Sequence, residues 1–174
     1  MITEIELPEH QATAAMKLLR TLEAKEEFTF HRYGTDDPTW CTATFELQEP
    51  NEGLKVVATL QGQNNDIFIT PTDGDTDQIG RFLINLEGYG VLHTLGLGHT
   101  IPLESDDAAA RGWVAMVLMA PGDLFEGFES LEVNGRRGEV YWVLFIDAAE
   151  HALKREKGFE AFLEALSNRD LFTW

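Results

Sequence analysis

The sequence contains a single cysteine, Cys41, in 174 residues. One cysteine cannot form an internal disulfide, and it excludes the zinc modules that need several cysteine ligands. The first ten residues, MITEIELPEH, also lack the basic and apolar segments of a secretory leader. Both absences favour a reducing, cytoplasmic location. No apolar run approaches the roughly 20 residues that cross a bilayer, so we expect no membrane insertion.

Basic residues are scarce. There are 13 Lys and Arg against 30 Asp and Glu, which gives a formal net charge of −17. Residues 1–87 include sixteen acidic and six basic residues, and residues 88–174 include fourteen acidic and seven basic residues. The acidic excess therefore runs along the whole chain. Such a surface repels a nucleic-acid backbone and an anionic membrane. It attracts a basic protein partner and speeds the encounter, although acidity can also serve solubility alone.

The common motifs of nucleotide binding and nucleophilic catalysis are missing. No Gly-Lys-Ser/Thr occurs, which excludes a P-loop, and no Gly-x-Ser-x-Gly elbow occurs. Gly88-Tyr-Gly90 and Gly96-Leu-Gly98 each begin like a dinucleotide fingerprint, but His93 and Ile101 stand where the third glycine belongs. We therefore expect no cofactor and assign no catalytic residue.

Two histidines and two glycines crowd into residues 92–102, LHTLGLGHTIP. His93 and His99 lack the local ligand spacing of a zinc site, so we assign no metal. Glu87, Glu104 and Asp106 are near enough in sequence to complete a ligand shell. The alternative function is therefore a metal-dependent or hydrolytic enzyme centred on the two histidines. The glycines are more typical of a bend, and we predict that His99 is largely buried and bonded to the main chain.

Hydrophobic periodicity predicts a helix followed by a meander in the first half of the chain. Ala15, Leu18, Leu19 and Leu22 follow the i, i+3, i+4, i+7 spacing of a helix over residues 9–27. Alternating segments separated by turn residues then predict three or four antiparallel strands. These segments cover residues 28–33, 39–47, 54–60 and 67–70.

The second half mixes helices and strands without regular alternation. A capping box at Asp75 predicts a helix to about Leu86 that buries Ile79, Phe82, Leu83 and Leu86. A strand over 113–119 and a hairpin follow, the hairpin pairing 130–133 with 139–146 across Asn134–Gly138. A second capping box at Asp147 opens a helix that ends at Gly158, and a last helix follows. The predicted fold is α+β: one domain over 1–174, with mainly antiparallel sheet flanked by helices.

Residues 78–168 resemble the suppressor-of-fused-like domain family, in particular its bacterial members. The resemblance is carried by Gly96-Leu-Gly98-His99-Thr100-Ile-Pro, an apolar strand ending in Met-Ala-Pro121, and the late strand that leads into the acidic-capped helices. It implies an α+β protein-binding domain that is not an enzyme. Animal members sequester zinc-finger transcription factors, and bacterial members include candidate immunity proteins that bind polymorphic toxins. The resemblance implies a structural role for Gly96, Gly98, His99 and Thr100 and supplies no partner-binding residue.

Overall fold

A computed structural model describes residues 7–34, 37–121 and 128–172. These residues form five helices: α1 Glu9–Thr21, α2 Thr76–Leu92, α3 Asp106–Ala110, α4 Ala148–Lys157 and α5 Phe159–Leu166. They also form eight strands: β1 Ala24–Arg32, β2 Cys41–Leu47, β3 Lys55–Thr59, β4 Ile67–Thr72, β5 Thr100–Pro102, β6 Ala115–Met119, β7 Ser130–Val133 and β8 Arg136–Ile146.

The strands build one mixed sheet in the order β1-β2-β3-β4-β8-β6-β5, with β7 paired to β8. The first four strands form the predicted antiparallel meander. Only β4 and β8 pair in parallel, with Ile67 opposite Val140, among the described strands. The predicted α+β class with a mainly antiparallel sheet is confirmed. No helix in the described ranges is long and apolar enough to cross a membrane.

The helices cover both faces of the sheet, as the alternation along β8 shows. Tyr141, Val143 and Phe145 point into a core that α2 and α3 cover. Val140 points to the opposite face, into the core beneath α1. Leu144 points to the same face as Val140 and belongs to the core beneath α5. Because successive residues of a strand face opposite sides, one continuous apolar strand serves both cores.

Local capping signals set the starts of two helices as predicted. The Asp75 side chain accepts a hydrogen bond from the Gln78 N–H, and α2 follows. Asp147 and Glu150 form a reciprocal capping box at α4. The turn after β7 is tighter than the predicted five residues, because Asn134 and Gly135 both adopt positive φ, at 52° and 79°. This two-residue turn lets β8 begin at Arg136.

Two predicted helix ends are wrong. The first helix ends at Thr21 and not at residue 27, because Ala24 pairs with Leu47 of β2 and the chain continues as a strand. Sheet pairing overrides the helix propensity of residues 24–27. The second helix continues past Leu86, through Gly88 and on to Leu92. A Cβ at Gly88 would meet the Trp40 ring at 3.0 Å, so this glycine permits close packing of a helix and does not mark its end.

Candidate functional site

A groove of about 470 Å³ runs between α2 and the edge strand β5. We call it the α2–β5 groove. One wall is formed by the exposed side of α2, where Arg81, Asn85 and Tyr89 recur every fourth residue. The other wall is formed by β5 and the segment leading into α3. The lining residues are Gln78, Arg81, Phe82, Asn85, Leu86, Tyr89, Ile101, Pro102, Leu103, Glu104, Ser105, Asp107 and Met116.

The floor of the groove is apolar, and the rim opposite α2 is acidic. Phe82, Ile101 and Met116 are buried members of the core between α2 and the sheet. Glu104 and Asp107 are exposed on the opposite rim. Within the described part of the chain, neither carboxylate has a basic side chain within ion-pair distance. An apolar floor with free charge of one sign at its edge is typical of protein-binding sites.

A second, larger depression of about 790 Å³ lies over β1, β2 and β3. Three of its charged side chains pair: Lys25 lies 3.5 Å from Glu46, and also 3.9 Å from Glu52 outside the depression, and Lys55 lies 3.9 Å from Glu46. Glu26 and Glu27 also line this depression and have no basic partner within ion-pair distance among the described residues, so the α2–β5 groove differs from it by its buried apolar floor and not by free charge.

Exposed apolar side chains cluster at the C-terminal end of the same helix. Tyr89 is 43% exposed and lines the groove, while Val91, Leu92 and Leu97 are 54%, 83% and 61% exposed. The described residues contain only two other exposed large apolar side chains, Met16 and Leu163. Apolar side chains exposed together beside a groove are typical of an interaction surface.

The residues of the predicted bend lie in a surface turn that leads into β5. Gly98 has a φ of 80°, and its N–H donates to Leu118 O at 2.8 Å, while Leu118 N–H donates to His99 O at 3.0 Å. Thr100 begins β5, and its hydroxyl oxygen accepts a hydrogen bond from Lys154 Nζ at 2.7 Å. Gly96 O accepts from His99 N–H at 3.1 Å. The bend thus pairs its backbone with β6.

The predicted burial of His99 is wrong, because its side chain is exposed. Its Nδ1 nevertheless accepts a hydrogen bond from the Gly96 N–H at 3.2 Å, so the expected bond to the main chain is present. The backbone groups of the bend bond to β6, and the imidazole ring is therefore not needed in the interior to satisfy them.

The structure gives no support to a metal shell around the two histidines. His93 caps the end of α2 and stacks on Tyr89, with ring centroids 4.0 Å apart. Glu87 is fully buried, whereas His93 and His99 are exposed. In residues 7–34, 37–121 and 128–172, no three His, Cys, Asp or Glu side chains come together in a way that could hold a metal ion.

Glu87 is a buried acid that the sequence offered only as a possible ligand. It lies four residues after the buried Leu83, on the helix face that packs against the sheet. Its Oε1 accepts from the Gln63 N–H at 3.0 Å. Burial raises the pKa of this carboxyl group to about 7, although the backbone N–H groups of residues 62–64 and the charge of Arg136 act in the opposite direction.

Cys41 is fully buried in β2 and is expected to be unreactive. Burial, followed by the charge of nearby Glu87, raises the pKa of its thiol to about 12. Since the thiolate is the reactive form, we expect no reaction of the native protein with an aromatic disulfide reagent at pH 8, and one thiol equivalent in guanidinium chloride. Absorbance of the released thiol measures this. Cys41→Ser gives the blank, and rapid reaction of the native protein would contradict the burial.

The fold has a match among solved structures. A crystal structure from Neisseria gonorrhoeae FA 1090, of a protein named as a suppressor-of-fused (SUFU) homologue, aligns over 94% of this chain and 93% of that chain, with a TM-score of 0.70 and 12% sequence identity. The chain has a suppressor-of-fused-like fold. The match covers nearly the whole chain, so the suppressor-of-fused-like fold extends beyond residues 78–168, where the sequence resemblance lies.

Two further solved structures are more distant from this suppressor-of-fused-like chain. They are the Sufu-Fu complex and Drosophila Suppressor of Fused, each with 10% identity and a TM-score of 0.49. Each aligns with 84% of this chain, and this covers 73% and 40% of the respective structures. The fold assignment therefore rests on the bacterial structure. No family model and no curated protein matches the sequence.

The groove residues could not be found from the sequence. Leu103, Glu104 and Asp107 line one groove with Tyr89 only because β5 pairs with β6 and thereby comes to lie beside α2. The one available signal was the recurrence of exposed residues at 81, 85 and 89, which marks a solvent-facing helix side but does not say what lies opposite.

Proposed function

We propose that the chain, as one domain over residues 1–174, is a non-enzymatic protein-binding domain that uses the α2–β5 groove. The observation that carries this proposal is the groove itself, with its buried apolar floor and the unpaired carboxylates of Glu104 and Asp107 at its rim. A suppressor-of-fused-like fold is consistent with this role. Leu92 at the end of α2 and Leu97 in the bend that follows are further exposed apolar side chains.

The proposed partner is a basic protein. The chain carries a net charge of −17, and the groove rim adds local negative charge beside the apolar floor. Complementary charge steers the encounter and raises the association rate, while the apolar floor supplies burial. An acidic partner or a nucleic acid would be repelled by the same surface.

The resemblance to bacterial suppressor-of-fused-like proteins makes the proposal more specific. The more specific proposal is that the chain is a cytoplasmic immunity protein of a bacterium. Its basic partner is then a polymorphic toxin that it neutralises by binding. The toxin is then expected to be encoded beside the gene for this chain. Co-expression with the chain is expected to restore growth to cells that produce the toxin.

Co-purification from the native host, followed by affinity measurement, tests the proposal. Wild-type chain is expected to recover one basic protein. The double variant Glu104→Lys/Asp107→Lys is expected to bind that protein at least about tenfold more weakly, because two attractive charges become repulsive. Titration calorimetry with the purified partner measures the affinity.

A matched control separates the groove from the overall charge. Glu160→Lys/Glu164→Lys makes the same change in net charge on exposed positions of α5, which lies on the opposite face of the sheet. It is expected to weaken binding much less than the groove variant. Equal effects of the two double variants would contradict the role of the groove, and an acidic partner would contradict the proposed chemistry.

A further inference from the structure

A short turn after β3 is held against α2 by a buried acid. We call residues 61–65 the 61–65 turn. Glu87 of α2 is 0% exposed, and it contacts this turn through both its carboxyl group and its backbone oxygen. Its carboxyl Oε1 accepts from the Gln63 N–H at 3.0 Å, and its backbone oxygen accepts from Asn64 Nδ2 at 2.9 Å. The turn is therefore docked on the helix through one residue.

The same turn also contacts α1 and β8. The Gln61 side chain is fully buried and lies within hydrogen-bond distance of His10 Nε2, at 3.1 Å. Arg136 Nε donates to Asn65 Oδ1 at 2.9 Å. The contacts that hold the 61–65 turn on α2 therefore also help to hold α1, α2 and β8 together at this end of the sheet.

Complete burial of the carboxyl group favours its neutral form and outweighs the backbone N–H groups of the turn and the Arg136 charge, which favour the ionised form. Its Oε2 atom is buried and has no hydrogen-bond partner in the described part of the chain. From β8, the Arg136 charge is attractive. From β2, the nearby titratable group is the Cys41 thiol, which is neutral because burial raises its pKa to about 12. From α1, His10 faces Gln61 and Arg136, and burial, then the Arg136 charge, lowers the pKa of its imidazole. An ionised Glu87 would thus be a buried charge with incomplete compensation.

We propose that Glu87 is a proton-controlled latch: the protonated carboxyl group keeps the 61–65 turn docked on α2, and loss of the proton releases the turn so that water reaches the carboxylate. Glycine at 62 also lets the turn lie against the backbone before β2, since a Cβ there would meet Thr39 O at 2.3 Å. This inference does not depend on the proposed protein-binding function.

The sign of the pH effect follows from the raised pKa. The docked carboxyl group has a pKa of about 7, against the ordinary value of 4.5 for an open, solvated one. The docked state therefore binds the proton more tightly, and docking is strongest below about pH 4.5. Its advantage is lost progressively as the pH rises through 7. From these two values, the equilibrium constant for opening rises about seventy-fold between pH 5 and 8.

Amide hydrogen exchange and carboxyl NMR test the latch in the full chain. The protection factor of the Gln63 amide is expected to fall about seventy-fold between pH 5 and 8, after correction for intrinsic exchange. The ¹³C shift of the Glu87 carboxyl group is expected to titrate near 7. In Glu87→Gln, which cannot ionise, Gln63 protection is expected to stay constant over this range. Glu139→Gln, at an exposed position of β8, is the matched control and is expected to keep the wild-type profile.

Two results would overturn the proposal. One is a Glu87 carboxyl group that titrates below about pH 5, as a solvated glutamate does. The other is constant Gln63 protection in the wild-type protein across the titration. Both readouts use the wild-type chain, so the test remains decisive if Glu87→Gln fails to fold.

Discussion

Gly138→Ala is expected to destabilise the protein by at least about 3 kcal/mol, a large part of the roughly 5–15 kcal/mol that holds a typical domain folded. Gly138 lies in β8, beside the 61–65 turn. A Cβ built on it would lie 1.7 Å from Asn65 O, 2.3 Å from Asn65 C and 2.8 Å from Asp66 N. All three atoms belong to the backbone, so no flexible side chain can move aside.

The backbone opposite Gly138 is also held in place by its neighbours. Asp66 Oδ1 accepts from the Glu139 N–H at 3.0 Å, and Asn65 Oδ1 accepts from Arg136 Nε at 2.9 Å. An added methyl group must therefore break these bonds or distort β8. Guanidinium chloride unfolding followed by circular dichroism measures the loss.

Gly96→Ala is the matched control for this substitution. A Cβ at Gly96 would have no heavy atom nearer than His99 Nε2 at 3.8 Å, which is ordinary contact distance. Its stability is expected to change by less than about 1 kcal/mol. If Gly138→Ala were as stable as Gly96→Ala, residues 65 and 138 would not approach as the structure describes.

Arg169→Ala is expected to cost about 3 kcal/mol, because one side chain joins the C-terminal segment to three other parts of the fold. Arg169 Nη1 lies 2.7 Å from Glu150 Oε2, and Nη2 donates to Phe145 O at 2.8 Å. The guanidinium also lies 4.8 Å from the Trp113 ring centroid. The two paired side chains are only 21% and 15% exposed, so removing the cation leaves a largely buried carboxylate uncompensated.

Two variants test the origin of this loss. Arg169→Lys is expected to recover only part of the stability, because an ammonium group cannot reproduce the two-pronged contact of the guanidinium group. Arg155→Ala removes an exposed positive charge from α4 and is expected to change stability by less than about 0.5 kcal/mol. Denaturant unfolding of all three variants gives the comparison. A loss below about 1 kcal/mol in Arg169→Ala would show that the ion pair is not the anchor of this segment.

Local sequence determined those features whose causes lie within a few residues. The carboxylates of Asp75 and Asp147 start α2 and α4, because a side-chain oxygen can satisfy an amide three residues further on. Asn134-Gly135 sets the hairpin turn, because both residues tolerate positive φ. The apolar spacing of Ile79, Phe82, Leu83 and Leu86 identified the buried face of α2. These signals, taken in order, were enough for the α+β class.

Tertiary structure decided the features that depend on segments far apart in the chain. Pairing with Leu47 turned Ala24 from a helix into a strand, and Gly88 lies inside α2, where the absence of a Cβ lets Trp40 pack closely. The exposure of His99 followed from backbone bonds between its turn and β6.

The groove and the buried acid also arise only in the folded chain. Glu104 and Asp107 become the rim of a groove because β5 takes the edge of the sheet beside α2. Glu87 becomes a buried acid because the 61–65 turn folds over it. The sequence by itself therefore determined the class of fold and an acidic character suited to a basic partner, since periodicity, caps and net charge are properties of the chain. Only the tertiary structure decided where an apolar surface lies beside unpaired charge and which acidic side chain is buried away from water. Both depend on contacts between residues that are far apart in the chain.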